Sequence, residues 1–269
     1  ILTDLLSWEW IFFVNVPVGV VALGLTPLWI PESRDETTRS FDLPGAALIT
    51  ATLVVLVLGI TQANGWGWGS GRAWLTFGVS AGLFALFLAW ESRQEHPLVP
   101  ASIFRVRTVL GANIAGFILA TGLFGMFLML TLYMQQVLGF SPLKTGFGYL
   151  AVAGTAILWA NVAAVAVNRV GAKPVIVTGM TLMTVGMLLF TQVSVGGSYA
   201  ADLLPGFLVV GIGMPFTFVG VAIAAVAGVT AQEAGLASGL YNTTQQIGGA
   251  LGIAVLSAVA TSTTTGGLA

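Results

Sequence analysis

Three groups of side chains have the types and spacing to do chemistry, and they are built from amides, rings and a basic turn rather than from nucleophiles or acids. The first is Asn242, Gln245 and Gln246. Spacings of three and four put Asn242 on one helical face with both glutamines. With Asn161 and Asn113 these amides could line an uncharged but polar cavity. An amide buried in an apolar setting could instead bond a neighbouring helix, at about 0.6 kcal/mol; the residue types admit both. The second group is Phe117, Phe124 and Phe127 with Met126, Met129, Tyr133 and Met134. Flat rings and adaptable thioethers suit varied apolar or cationic molecules. Phe117 and Phe124 are a heptad apart and share a face with Asn113, so that face is expected to look into a cavity. Phe127 is expected to meet lipid or other side chains. The third group is Asn168-Arg169-Val170-Gly171-Ala172-Lys173. Glu233 could pair with Arg169, although an exposed pair contributes only about 0–1 kcal/mol.

Composition excludes several kinds of activity. Of the residues 57% are hydrophobic and only 7% charged, with a mean hydropathy of +0.96, outside the range of ordinary soluble domains. A net charge of −1 indicates neither nucleic acid nor an acidic surface as partner. The absence of cysteine excludes disulfides, thiol catalysis and thiolate metal sites. The lone histidine, His96, is expected in a solvated loop and not in a metal site. No nucleophile–base pair, metal cluster or buried acid is available, so an enzyme is not expected. A passive channel is disfavoured because no filter motif or acidic ring is present.

What must position these groups is a set of long apolar helices. Thr108 to Gln136 holds no charge and follows Arg105 and Arg107; at about 1.5 Å per residue such a run crosses roughly 30 Å of hydrocarbon. Charges punctuate the chain into further runs: Trp10–Pro31, Leu43 to about Gln62, Ala73–Trp90, then the segments between Lys144 and Arg169, Lys173 and Asp202, and Asp202 and Glu233, and last Ala234 to about Ala260. Eight transmembrane helices are predicted, with the acids at their ends or in loops. Strict alternation is absent and the runs are too long for strands, so a β-barrel is rejected. The chain begins at Ile1 without an initiator Met, and it is read as part of a longer protein.

If the first helix runs from outside to inside, the inner loops hold Arg34, Arg39, Arg93, Arg105, Arg107, Arg169 and Lys173, leaving Arg72 and Lys144 outside. Trp8, Trp10, Trp29, Trp66, Trp68, Trp74 and Trp90 fall at span ends, where amphipathic rings are most stable. Trp159 lies within a span and is expected to pack, with contact to a bound molecule the second reading. Glycines 206, 211, 213 and 220, and 239, 248, 249 and 252, allow close helix approach. Pro205 and Pro215 are expected to kink the seventh helix. An internal echo relates Gly116-Phe117-Ile118-Leu119 to Gly206-Phe207-Leu208-Val209, ninety residues on.

Several motifs, in order, carry a family resemblance. Trp8-Glu9-Trp10-Ile11-Phe12-Phe13-Val14-Asn15-Val16-Pro17-Val18-Gly19 resembles the sixth-helix signature of the major facilitator superfamily's fourteen-helix drug:proton antiporters, the QacA/EmrB type, with Glu9 standing where that pattern has a basic residue. Phe41-Asp42-Leu43-Pro44-Gly45 resembles the start of that family's first accessory helix. His96-Pro97-Leu98 through Arg107 is similar to its linker into helix seven, and Tyr133 through Leu143 to the end of that helix and the loop after it. Gly235-Leu236-Ala237-Ser238-Gly239 through Ala250 resembles helix eleven, and Asn168 through Lys173 the inner-gate loop, with Asn168 replacing its acid.

The resemblance implies an all-α polytopic membrane protein, an incomplete helical bundle running from about helix six to helix eleven. Residues 1–40 would hold the last helix of an N-terminal bundle and a cytoplasmic linker, 41–92 the accessory pair, 93–107 a second linker, and 108–269 five helices of the C-terminal bundle. It implies a multi-pass protein of the bacterial plasma (inner) membrane, exporting small amphipathic compounds by alternating access. The energy source it implies is a proton gradient, with no cofactor. The implied partners are the lipid bilayer, an amphipathic small molecule, protons and the missing N-terminal helices. The family's coupling acids lie largely in those missing helices. Asn168, Arg169, Lys173 and Glu233 are the implied cytoplasmic-gate residues. The alternatives are a truncated chain that inserts without transporting, or an exporter of siderophores, lipids or amino acids.

Overall fold

The computed structural model describes residues 7, 9–29, 42–94, 97, 98, 100–230 and 233–266. The expectations placed on Trp8, Arg34, Arg39, Phe41 and His96 lie outside the described residues. Eight long helices run through the described residues, and no strand occurs among them. They are α1 (Trp10–Trp29), α2 (Leu43–Trp66), α3 (Gly71–Glu91), α4 (Arg107–Leu132), α5 (Pro142–Val170), α6 (Ala172–Phe190), α7 (Leu204–Val226) and α8 (Ala234–Gly266). A 3₁₀ turn, Ala101–Arg105, precedes α4, and π-turns extend α4 through Tyr133–Val137 and open α7 at Tyr199–Leu203. The helices α1 to α7 are long and apolar enough to cross a membrane. The remaining run expected from the sequence is also helical, as α8.

The α2–α3 hairpin is fixed at its ends by local chemistry. Asp42 caps α2 by accepting from the Gly45 N–H at 2.9 Å, and Pro44 sits in the first turn, where a missing N–H costs nothing. A Cβ on Gly45 would collide with the Asp42 carboxylate, so this motif needs glycine there. The Trp90 indole N–H donates to the same carboxylate, tying the end of α3 to the start of α2. Midway, the Ser80 hydroxyl donates to the Thr52 carbonyl at 3.0 Å.

The bundle α4–α8 is organised around α7. Gly206, Gly213 and Gly220 on α7 and Gly179 and Gly186 on α6 have no room for a Cβ against the facing helix, and Gly211 presses on the Val152 carbonyl and the Thr155 side chain of α5. Across the bundle, Gly248 and Gly252 of α8 meet the α4 backbone at Phe117 and Thr121, while Gly116 and Gly125 of α4 receive Tyr241 and Leu256. The Thr121 hydroxyl reaches both the Phe117 carbonyl (2.8 Å) and the Gly248 carbonyl (3.0 Å). Thr121 and Gly211 stand ninety residues apart, so the echo in sequence recurs in packing: α8 crosses α4 where α5 crosses α7.

Pro205 lies in the first α-helical turn of α7, directly after the π-turn at Tyr199–Leu203, where an α-helix start leaves N–H groups unpaired. Pro215 lies inside the continuous helix, close to the Thr217 hydroxyl that bonds the Gly213 carbonyl at 3.0 Å.

Positive charge sorts to one end of the molecule. There the Thr108 hydroxyl donates to the Ala227 carbonyl at 2.7 Å and joins α4 to the end of α7, beside the core of Ile103, Val109 and Ala237. Arg105, Arg107, Arg169 and Lys173 lie at this basic end. At the far end, with Lys144, the rings of Phe127, Tyr149, Phe207 and Tyr199 pack at centroid distances from 5.1 to 6.2 Å. The Tyr133 hydroxyl there donates to the Ser194 carbonyl at 2.7 Å and to Asp202 at 3.2 Å.

Candidate functional site

The polar groups expected to share one hollow are divided between several faces. Asn113 is buried, and both ends of its amide are occupied: Nδ2 donates to the Val109 carbonyl at 2.9 Å, and Oδ1 accepts from the Thr244 hydroxyl at 2.8 Å. It clasps α4 to α8, using one donor and one acceptor position of its amide in that seam. Gln245 lies half-buried in the same seam. Its Nε2 donates to the Tyr241 hydroxyl at 2.8 Å, and its stem passes within 3.6 Å of where a Cβ on Gly116 would stand. Phe117 gives its backbone to the crossing, and Phe124 lies over Gly249 with 44% of its surface exposed. Four of the expected residues, Asn113, Phe117, Phe124 and Gln245, therefore meet at the α4–α8 seam.

The others do not join them. Gln246 is one helical step, about 100°, beyond Gln245, and it lines a groove with Leu53, Val57 and Thr61 of α2. Asn242 is exposed, and its Nδ2 donates to the Ser238 carbonyl. Asn161 is exposed on the face of α5 that carries Ile157 and Leu158, away from the buried Val152, Ala163 and Val167. Asn113, Asn161 and Gln246 thus occupy different places: the α4–α8 seam, the exposed face of α5 and the groove beside α2.

The basic turn is built around backbone conformation. Gly171 ends α5 and opens α6 at φ +87°, a value that favours glycine, with Asn168, Arg169 and Lys173 exposed around it. Glu233 turns back on its own loop, accepting from the Thr230 N–H at 3.1 Å and the Thr230 hydroxyl at 3.0 Å, in place of the expected pairing with Arg169. Phe127 packs against Tyr149 and the buried core, and Trp159, 38% exposed, tilts against Phe216 at 6.2 Å. Met126 and Met134 belong to the buried core.

Two acids escape a reading of the sequence for site residues, because each sits at the end of an apolar run. Asp202, in the π-turn that opens α7, receives the Tyr133 hydroxyl and lies 3.4 Å from the Ser194 N–H. Glu91, the last residue of α3, is only 8% exposed and accepts from the Leu98 N–H at 3.2 Å. Its carboxylate borders a cavity between the α2–α3 hairpin and α8. An acid directly after Trp90 at a span end is the signal the sequence offers. Among the described residues no cluster of acids and histidine could hold a metal ion. The arrangement can pack helices closely and offer isolated polar groups to a solute.

Comparison with known proteins agrees with this architecture. The family model described as Major Facilitator Superfamily matches residues 1–253. The chain is 32% identical to the tetracenomycin C resistance and export protein of Streptomyces glaucescens, over 95% of this chain and 48% of that protein. It is 34% identical to the lincomycin resistance protein of Streptomyces lincolnensis, over 99% of this chain and 55% of that protein. A multidrug resistance protein B homolog of Mycobacterium tuberculosis is 33% identical, over 95% of this chain and 48% of that protein. The chain thus spans about half the length of the curated relatives it matches. Apolar helices of spanning length and relatives from bacteria make it a multi-pass protein of the bacterial plasma (inner) membrane. It belongs to the Major Facilitator Superfamily.

Proposed function

We propose that this chain is the C-terminal-side bundle and accessory pair of an exporter of small amphipathic compounds, working by alternating access and driven by inward proton movement. The observation that carries the reading is the repeated crossing, α8 on α4 and α5 on α7, at positions ninety residues apart. Two matched crossings give a bundle that moves as one body while its outer faces engage another. The names of the relatives, resistance and export proteins for antibiotics, support small amphipathic molecules as cargo. The helices needed to face this bundle would come from the rest of a longer polypeptide. Asn161, Asn242 and Gln246, which keep exposed positions, are the polar groups left for a solute or for the opposing half. The basic end is the cytoplasmic side, where Arg169 and Lys173 flank the gate loop. The chemistry is vectorial, with no covalent step.

The test is ethidium accumulation in an efflux-deficient bacterium expressing either the full gene product or this chain alone. The full product should lower accumulation, a protonophore should abolish the effect, and this chain alone should have none. Arg169→Ala at normal membrane abundance should slow efflux. Unchanged accumulation with the full product correctly inserted would remove the export reading and leave a membrane protein that does not transport.

A further inference from the structure

Three of the chain's four tyrosines stand at the far end of the bundle, and each donates its hydroxyl to a backbone carbonyl of another element. Tyr133, in the π-turn after α4, donates to the Ser194 carbonyl at 2.7 Å. Asp202, at the opening of α7, holds that loop by accepting from the Ser194 N–H at 3.4 Å. Tyr199, in the same opening π-turn, donates to the Gly148 carbonyl of α5 at 2.7 Å. Tyr149 of α5 returns to α4, donating to the Phe127 carbonyl at 2.9 Å and lying 2.8 Å from the Thr131 hydroxyl. The bonds thus run from α4 to α7, from α7 to α5 and from α5 to α4. We propose that this closed ring is a locked cap, which holds the far ends of α4, α5 and α7 as one unit and leaves bending within the bundle to its basic end.

Packing and backbone geometry support the same unit. Phe207 of α7 is fully buried at its hub, with the rings of Phe190, Tyr149 and Tyr199 at centroid distances of 5.3, 5.4 and 6.2 Å, separations at which aromatic pairs attract. Gly148 makes the room: a Cβ there would stand 3.1 Å from the Met134 sulfur and 3.2 Å from the Tyr199 ring. Tyr133 and Tyr199 each begin a π-turn, a rare helical geometry that is frequent at functional sites. A phenol hydroxyl among apolar rings has few other partners, so its bond to a carbonyl is costly to open. The basic end is built differently. There α4 meets α7 through the Thr108 hydroxyl and the Ala227 carbonyl in an exposed bond, and the chain leaves α7 through Gly228 at φ +85°. Between the ends, Pro215 removes one rung of the α7 ladder on the basic side of Phe207 and Val210. Exposed bonds at helix ends open more readily than bonds inside a packed core. The cap itself does not rest on the export reading, whereas its use in transport does. On that reading, opening at the far end separates this bundle from an opposing half and does not split the bundle.

The test is hydrogen–deuterium exchange of the full gene product in lipid nanodiscs, comparing helix ends of the same polarity. The last turns of α4 are set against those of α7, and the first turns of α7 against those of α4. In both pairs the far-end amides should exchange about tenfold more slowly than those at the basic end. Tyr149→Phe keeps the ring and removes the hydroxyl. It should speed exchange about threefold in the turn Tyr199–Leu203, to which the Tyr149 hydroxyl makes no bond. Tyr199→Phe should act likewise on the turn Tyr133–Val137, and the double variant should fall well short of the two effects combined. Equal exchange at the two ends, acceleration confined to the helix that bears the substitution, or additive effects would overturn the cap. Should both variants fail to fold, the comparison of ends in the unaltered protein decides by itself. The expected exchange pattern in a full gene product that lowers no ethidium accumulation would overturn the export reading alone. Equal exchange at both ends beside active efflux would overturn the cap alone.

Discussion

Helices α1 and α7 are both apolar enough to span a membrane, yet they live in opposite surroundings. None of the α1 window is buried and half of the α7 window is. The glycines state the contrast most sharply. A Cβ on Gly19 or Gly24 of α1 would meet nothing within 4 Å, while one on Gly206, Gly211, Gly213 or Gly220 of α7 would strike a neighbouring helix. Hydropathy sets where a helix resides, and small residues at matched positions set what it touches, because lipid tails supply no apolar drive for helix association. On the proposed reading, the exposed surface of α1 is where an opposing half would pack.

The largest effect should come from breaking this contrast on the packed side. Gly213→Leu places a side chain into the Gly179 carbonyl and the backbone of Met183. Overpacking costs about 1–3 kcal/mol even where side chains can yield, and backbone cannot, so folded protein recovered in detergent should fall severely. Gly24→Leu on α1 should leave the melting temperature of the same preparation unchanged. Next in size, Asp42→Ala removes a helix cap and the partner of Trp90. A loss of about 1 kcal/mol is expected, read as a lowered melting temperature with the α4–α8 bundle intact. Thr121→Val deletes the hydroxyl at the α4–α8 crossing and should cost roughly 0.6 kcal/mol, measured by unfolding in mixed micelles. The smallest effect on stability is expected from Asn161→Leu, which faces away from every packed helix; a change in transport of the full product without a change in melting would assign Asn161 to the opposing surface.

The fold is largely legible because length and charge alone delimit membrane helices. The runs from Leu43, Ala73, Thr108 and Ala234 all appear as helices close to their expected limits. Motifs that seem only familial have local causes: the Asp42–Gly45 cap, the Ser141 cap before Pro142, and the positive φ of Gly171. The candidate site is less legible. Helical spacing groups Asn242, Gln245 and Gln246 on one side of α8, and it cannot say that α4 covers Gln245 while α2 approaches Gln246, since both neighbours are apolar helices. Asn113 reads as a cavity residue because the pattern does not reveal that Thr244 meets it from a helix more than a hundred residues away. Glu91 escapes for the opposite reason: an acid at a span end reads as solvated, and only packing of the hairpin on α8 makes it a wall of a cavity.

The most direct measurement is ethidium flux into proteoliposomes containing the full gene product, with the interior made acid relative to the bath. Uptake that requires this gradient, collapses with nigericin and is absent from liposomes carrying only this chain is the predicted result. Equal dye movement with and without the gradient, or none through a correctly folded full product, would contradict a proton-driven exporter built on this bundle.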